Sequence, residues 1–220
     1  MKNIIIPKID TTPQDAAQVP ALLDANGVRW NLVGCNNWPV QYPYTPEAIF
    51  RVALTDSAFL INYKAKEETV RAVVGCDNGE VWTDSCMEFF LSPCPEDGSY
   101  YNLECNCAGK VLLGVRGGSL PKGHIAPEVL ATISRWSSLG DGCFDDRPTA
   151  EPWQVALVVP FSVYAHHDVA GLIAEGVAMR ANFYKCGDKL PKPHFLSWAP
   201  IESETPCFHL PEFFGELKFK

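Results

Sequence analysis

The chain has 220 residues, of which 47% are hydrophobic and 20% charged, and its formal net charge is −8. This composition excludes a disordered polymer, and the acidic balance argues against partners that need clustered Lys and Arg, namely nucleic acid and anionic membrane surfaces. The cysteines number nine, which is odd, and a chain this long buries a core without disulfide staples, so reduced thiols are expected.

At the N-terminus, Ile4-Ile5-Ile6-Pro7 is too short for the apolar region of a signal peptide. No stretch approaches the ~18 apolar residues of a membrane span, so the expectation is a cytoplasmic protein with no membrane partner. Gln14 to Asp24 reads as a short helix interrupted by Pro20. From there strand periodicity dominates. Phe50, Val52 and Leu54 alternate with Arg51 and Ala53, and Phe59, Ile61 and Tyr63 follow. Val70 and Ala72, then Met87, Phe89 and Leu91, continue the pattern. Tyr101, Leu103 and Cys105 alternate with Asn102, Glu104 and Asn106. Trp153, Val155, Leu157 and Val159 come next, then Met179, Ala181 and Phe183 against Arg180 and Asn182. Turn signals such as Asp77-Asn78-Gly79, Gly117-Gly118 and Gly187-Asp188 separate the runs. Many short strands and few short helices predict an all-β fold, an antiparallel two-sheet β-sandwich, with residues 1–220 forming one domain.

Six tryptophans supply flat surfaces for the apolar faces of sugar rings. Trp82 and Trp198 each lie near a predicted strand end and are candidates for exposed platforms, the alternative being core or half-buried positions. Trp153 fits the buried face of its strand. Asn102, Glu104 and Asn106 share one strand face, and Arg180 and Asn182 share another. Such side chains fork onto adjacent hydroxyls, although a solvated sheet face gives the same pattern. Asp77, Asp84, Glu88, Asp141, Asp145 and Asp146 leave calcium open as a cofactor, but Gly140 to Asp146 does not follow the EF-hand pattern. Cys105 and Cys107 lack a second pair at zinc spacing, and no metal ligands are assigned. Cys186-Gly187-Asp188 with His194 raises a Cys–His nucleophile. Glu88 and Glu104 are the strand-borne carboxyls that a glycosidase would need.

Several strings, taken together, resemble carbohydrate-binding module family 9. Val81-Trp82-Thr83-Asp84-Ser85-Cys86-Met87-Glu88-Phe89-Phe90-Leu91 is similar to its W-x-D-(D/S)-x-x-E-h-F-h strand, and Tyr100-Tyr101-Asn102-Leu103-Glu104-Cys105-Asn106 to the strand that follows. Val159-Pro160-Phe161-Ser162, Arg180-Ala181-Asn182-Phe183, Ser197-Trp198 and Phe213-Phe214-Gly215-Glu216-Leu217-Lys218-Phe219 follow in family order. The resemblance implies a β-sandwich holding a mono- or oligosaccharide between two tryptophans, by position Trp82 and Trp198. Polar contacts would come from Glu88, Arg180 and Asn182, with Glu104 and Asn106 on the adjoining strand face. It also implies glucan or xylan chain ends as ligands and, in some members, structural calcium. As read from these 220 residues, the expectation is a departure from the pattern, a stand-alone module with no attached catalytic domain and no secretion signal. It also carries Glu104 where sugar-binding members can place an Arg. Three functions follow: a non-catalytic sugar binder, a glycoside hydrolase using Glu88 and Glu104, or a structural or interaction sandwich that has lost the site. The oligomeric state is left open.

Overall fold

A computed structural model describes residues 1–220. In chain order the strands are β1 (Asn3–Ile6), β2 (Asn31–Leu32), β3 (Cys35–Asn36), β4 (Glu47–Leu54), β5 (Ala58–Lys66), β6 (Thr69–Ala72), β7 (Cys86–Ser92) and β8 (Ser99–Asn106). They continue as β9 (Val111–Gly117), β10 (Gly123–His124), β11 (Ser134–Ser137), β12 (Phe144–Pro148), β13 (Trp153–Pro160), β14 (Met179–Cys186), β15 (Phe195–Ser197) and β16 (Gly215–Phe219). Three short helices, α1 (Val19–Ala25), α2 (Pro127–Leu130) and α3 (Val169–Ala174), lie in the connections. The predicted sandwich forms. A nine-stranded sheet runs β1-β16-β14-β7-β8-β9-β10, with β15 and β3 attached beyond β14, and a five-stranded sheet runs β11-β13-β5-β4-β2. Pairing is antiparallel throughout except for β1 on β16.

Alternation of side chains explains why the sheets stack. Phe50, Val52 and Leu54 of β4, Phe59, Ile61 and Tyr63 of β5, and Trp153, Val155 and Leu157 of β13 project into a common core. They meet Met87, Phe89 and Leu91 of β7, Tyr101, Leu103 and Cys105 of β8, and Ala181 and Phe183 of β14. At its centre Phe183 lies between Phe50, at 3.6 Å, and Phe89, at 4.8 Å, both stacked. Each such ring pair adds about 0.5–1.5 kcal/mol beyond area burial.

The opposite faces of the two sheets are finished differently. Behind the five-stranded sheet, Val19 and Leu23 of α1, with Ile9, Ala16 and Val28, pack on Ala53, Ala58, Leu60, Ala156 and Val158. Pro20 is tolerated because it occupies the first turn of α1, where its missing N–H has no helical partner to lose. The outer face of the nine-stranded sheet is covered by the 195–214 segment and Trp38, which pack on Phe90, Tyr100, Leu112 and Tyr184. Tyr184 hydroxyl donates to the Phe208 carbonyl at 3.1 Å, and Trp38 Nε1 donates to the Ser203 carbonyl at 2.7 Å. These bonds pin the covering segment without sealing the face. No helix is long and apolar enough to cross a membrane.

Candidate functional site

Between that covering segment and the sheet lies a cavity of about 360 Å³. Its floor is built from outward-facing residues of adjacent strands: Glu88 of β7, Asn102 and Glu104 of β8, Leu112 and Arg116 of β9, and Cys186 at the end of β14. Trp82 and Asp188, joined through their backbones, line it together with Phe195 and the 206–209 segment. The β7–β8 register sets Glu88 directly opposite Glu104, so the two carboxyls expected on ligand-facing strands share one floor.

Trp82 stands in a single 3-10 turn, Val81–Thr83, immediately before β7. Its carbonyl accepts from Asp188 N at 3.2 Å, and the Thr83 carbonyl accepts from Lys189 N at 3.2 Å. Asp84 closes the same turn from below, accepting from Val73 N, Val74 N and Asn106 Nδ2 at 2.9–3.0 Å. The half-buried indole is therefore fixed by its backbone on both sides.

The 187–194 loop that carries Asp188 is held by a buried polar knot. Lys185 Nζ lies 3.0 Å from Glu67 and 2.7 Å from His194 Nε2, and Trp153 Nε1 donates to Glu67 at 2.7 Å. Burial first, and the Lys185 charge second, hold the His194 imidazole well below its ordinary pKa. Gly187 makes the turn practicable, since a Cβ there would lie 2.1 Å from Leu190 Cδ1 and 2.9 Å from His194 Cε1.

The floor is starved of donors. Asn102 Nδ2 donates to Glu104 Oε1 at 2.9 Å, and the Cys186 thiol donates to Glu88 Oε1 at 3.0 Å. Glu104 Oε2 and Asn102 Oδ1 are buried without any partner. Desolvation is the leading cause of the carboxyl shifts: Glu104 is pushed up to about 7, Asp188 up to about 6, and Glu88 well above the usual carboxylate range. Burial and the Arg116 charge lower the pKa of His209, which lines the same cavity.

Several expected site residues stand elsewhere. Trp198 does not face Trp82. It is 2% exposed and packs in the central core, edge-on to Phe50 and Phe183. The reason is strand phase: Leu196 and Trp198 point inward together, while Phe195, one residue before Leu196 and in the opposite phase, lines the cavity. Gly215 completes the pocket for the ring, because a Cβ there would lie 2.4 Å from Trp198 Cζ3. Asn182 is buried, and its amide accepts from Ala199 N and donates to the Ala199 carbonyl, which ties down the strand that carries Trp198. Asn106 is likewise spent, donating to Val74 O and Asp84 and accepting from Ala108 N and Lys110 N. Arg180 pairs in register with Ser92, four residues along β14 from the Glu88 level, or about 13 Å at strand rise. It does not line the cavity. The Cys–His pair does not form, since Cys186 bonds Glu88 while His194 bonds Lys185.

Of the carboxyls considered for calcium, Asp77 is engaged by Arg135 and Asp146 by Arg71, so they do not converge on one point. The ligating atoms of Cys86, Glu88 and Cys186 do lie within 4.8 Å of one another, but the thiol-to-carboxylate bond already joins two of them. Arg116, Phe195, Phe208 and His209 are not among the sequence candidates, and Asp188 enters there only as part of a turn and of the Cys186-Gly187-Asp188 string. Of these, only Phe195 carried a readable signal, its phase opposite to Leu196 and Trp198.

No curated protein matches the chain. Among solved structures, a protein from Bacteroides uniformis ATCC 8492, described as a candidate carbohydrate-binding protein, is 44% identical, covers 100% of this chain and 99% of its own, and superposes with a TM-score of 0.91. A family 9 carbohydrate-binding module from Caldicellulosiruptor kristjanssonii, solved with cellotriose, is similar in fold at 15% identity and TM-score 0.59, over 100% of this chain and 94% of that one. The glucose complex of a family 9 module from the same organism gives 15% identity and TM-score 0.56, over 100% and 96%. The model of carbohydrate-binding family 9 matches residues 17–219, so the chain belongs to that family.

Proposed function

We propose that this chain is a non-catalytic sugar binder that takes a monosaccharide, or the end of a glucan or xylan chain, into the cavity between Trp82 and the 206–209 segment. The observation that carries this reading is the meeting of a fixed indole with buried, unpartnered acceptors in one cavity of about 360 Å³. Apolar walls with a few convergent polar groups are what small-ligand sites require. The Trp82 face offers a surface to ring C–H groups. Glu104 Oε2 and Asn102 Oδ1 would accept from ring hydroxyls, and Arg116 would donate to ring oxygens. Phe195 and Phe208 take the part expected of Trp198.

Isothermal titration with glucose, cellobiose and xylobiose tests this directly. Wild type is expected to bind at least one of them, and Trp82→Ala to lose binding while keeping its cooperative unfolding. Unchanged affinity in Trp82→Ala, or no heat from any of the three sugars, would sink the reading.

The register pairing of Glu88 with Glu104 favours a second reading, a glycoside hydrolase. Against it, burial raises both carboxyls, whereas hydrolysis needs one ionised carboxylate opposite one acid. Turnover of aryl glycosides that disappears in Glu88→Gln would favour the hydrolase.

A further inference from the structure

The cavity is unbalanced in hydrogen bonds, and its ionisable groups are mostly acidic. Glu104 and Asn102 are 4% and 1% exposed, yet each keeps one oxygen with no donor in the fold. The Asn102 amide already gives one N–H to Glu104, but to Oε1 and not to the bare Oε2. A buried acceptor left without a donor loses its hydration with nothing in return, so a ligand that brings donors to this point is favoured. Three carboxyl groups, Glu88, Glu104 and Asp188, line the same space, against one guanidinium, that of Arg116. His209 does not redress the balance, since its lowered pKa keeps it neutral and its Nδ1 lies 3.0 Å from the Tyr100 hydroxyl.

We propose that the cavity selects a protonated amino sugar, a hexosamine whose ammonium lies against Glu104 Oε2 and Asn102 Oδ1 with Glu88 and Asp188 close by, over a neutral hexose. This rests on the reading of the cavity as a sugar site. A hydroxyl brings one donor and no charge. An ammonium brings three donors for the bare acceptors and a positive charge that the surrounding carboxyls can meet by ionising.

The same arrangement couples binding to protons. Around Glu88 stand Cys186 and Tyr184 of β14, Glu104 of β8 and Asp188 of the following loop, and Glu104 also faces Arg116 of β9. Cys207 and His209 also line the cavity. Near neutral pH the empty cavity retains protons on carboxyls whose pKa values burial has raised. A cation placed among them favours the ionised forms, so binding releases protons, and affinity rises with pH until the amine itself deprotonates.

The test is calorimetric titration of the chelator-treated full chain with glucosamine, glucose and N-acetylglucosamine near neutrality. Glucosamine is then repeated at about one pH unit lower and in two buffers of different ionisation heat. The expected result is glucosamine binding about tenfold or more tighter than glucose. N-acetylglucosamine is expected to gain nothing over glucose, glucosamine to weaken at the lower pH, and net protons to be released. In Glu104→Gln and Asp188→Asn, each checked for wild-type melting, the glucosamine-to-glucose ratio should fall toward one. Glucose binding as tightly as glucosamine overturns the inference and leaves the sugar site standing. Failure of every sugar to bind overturns both.

Discussion

The two outer faces of the sandwich are made from the same kind of strand and end in opposite states. Behind the five-stranded sheet, small apolar residues such as Ala53, Ala58 and Ala156 let α1 approach and close the face with Val19 and Leu23. On the nine-stranded sheet the corresponding positions are Glu88, Asn102 and Glu104, and the covering segment bridges them without filling the space. The closed face loses nothing by burial. The open face holds desolvated groups whose partners the fold does not supply, a state that stabilises nothing by itself and gains value when a ligand arrives. Completeness of hydrogen bonding, more than burial, separates the structural face from the binding face.

The two tryptophans expected to act as a pair break this comparison most sharply. Trp198→Ala should cost about 3–5 kcal/mol of unfolding free energy in urea titrations, the range for deleting a large core ring. A cost below about 1 kcal/mol would contradict its inward packing. A middle-sized effect comes from pH. Glu104 titrates near 4.5 when unfolded and at about 7 when folded, so between those values the folded chain holds a proton that the unfolded chain has released. Its contribution is present below the lower value and is lost as pH rises through the upper one, up to about 3 kcal/mol in all. Glu88 and Asp188 act in the same direction, since their pKa values are also raised. The stability difference between wild type and Glu104→Gln should therefore drift against wild type from mildly acidic to mildly alkaline buffer. Parallel pH profiles would refute the desolvated carboxyl. The smallest effect on folding belongs to Trp82→Ala, about 1 kcal/mol or less for a half-buried rim residue, although ligand binding is lost.

Much of the sandwich was legible because its strands alternate cleanly. Met87-Phe89-Leu91 and Tyr101-Leu103-Cys105 face the core as the two-residue period requires. The same period placed Glu88 and Glu104 on the open face. It also contained the answer for Trp198, because Leu196, two residues earlier, is the apolar residue in phase with it. What local pattern could not show was where loops return. Arg116, Asp188, Phe208 and His209 meet only after β9, the 187–194 loop and the 206–209 segment converge, and nothing in their neighbouring sequence encodes that meeting. Asn106 and Asn182 carry the side-chain chemistry of ligand contacts, yet here they spend it within the fold, mostly on backbone groups, a distinction made by long-range partners such as Val74, Asp84 and Ala199.

The central claim is that a sugar occupies the space between Trp82 and the 206–209 segment. A crystal structure of the chain soaked with glucosamine or glucose measures this directly. The account predicts a pyranose against the Trp82 ring, with donors within hydrogen-bond distance of Glu104 Oε2 and Asn102 Oδ1. A sugar bound elsewhere on the surface, with this cavity holding only water, would contradict it.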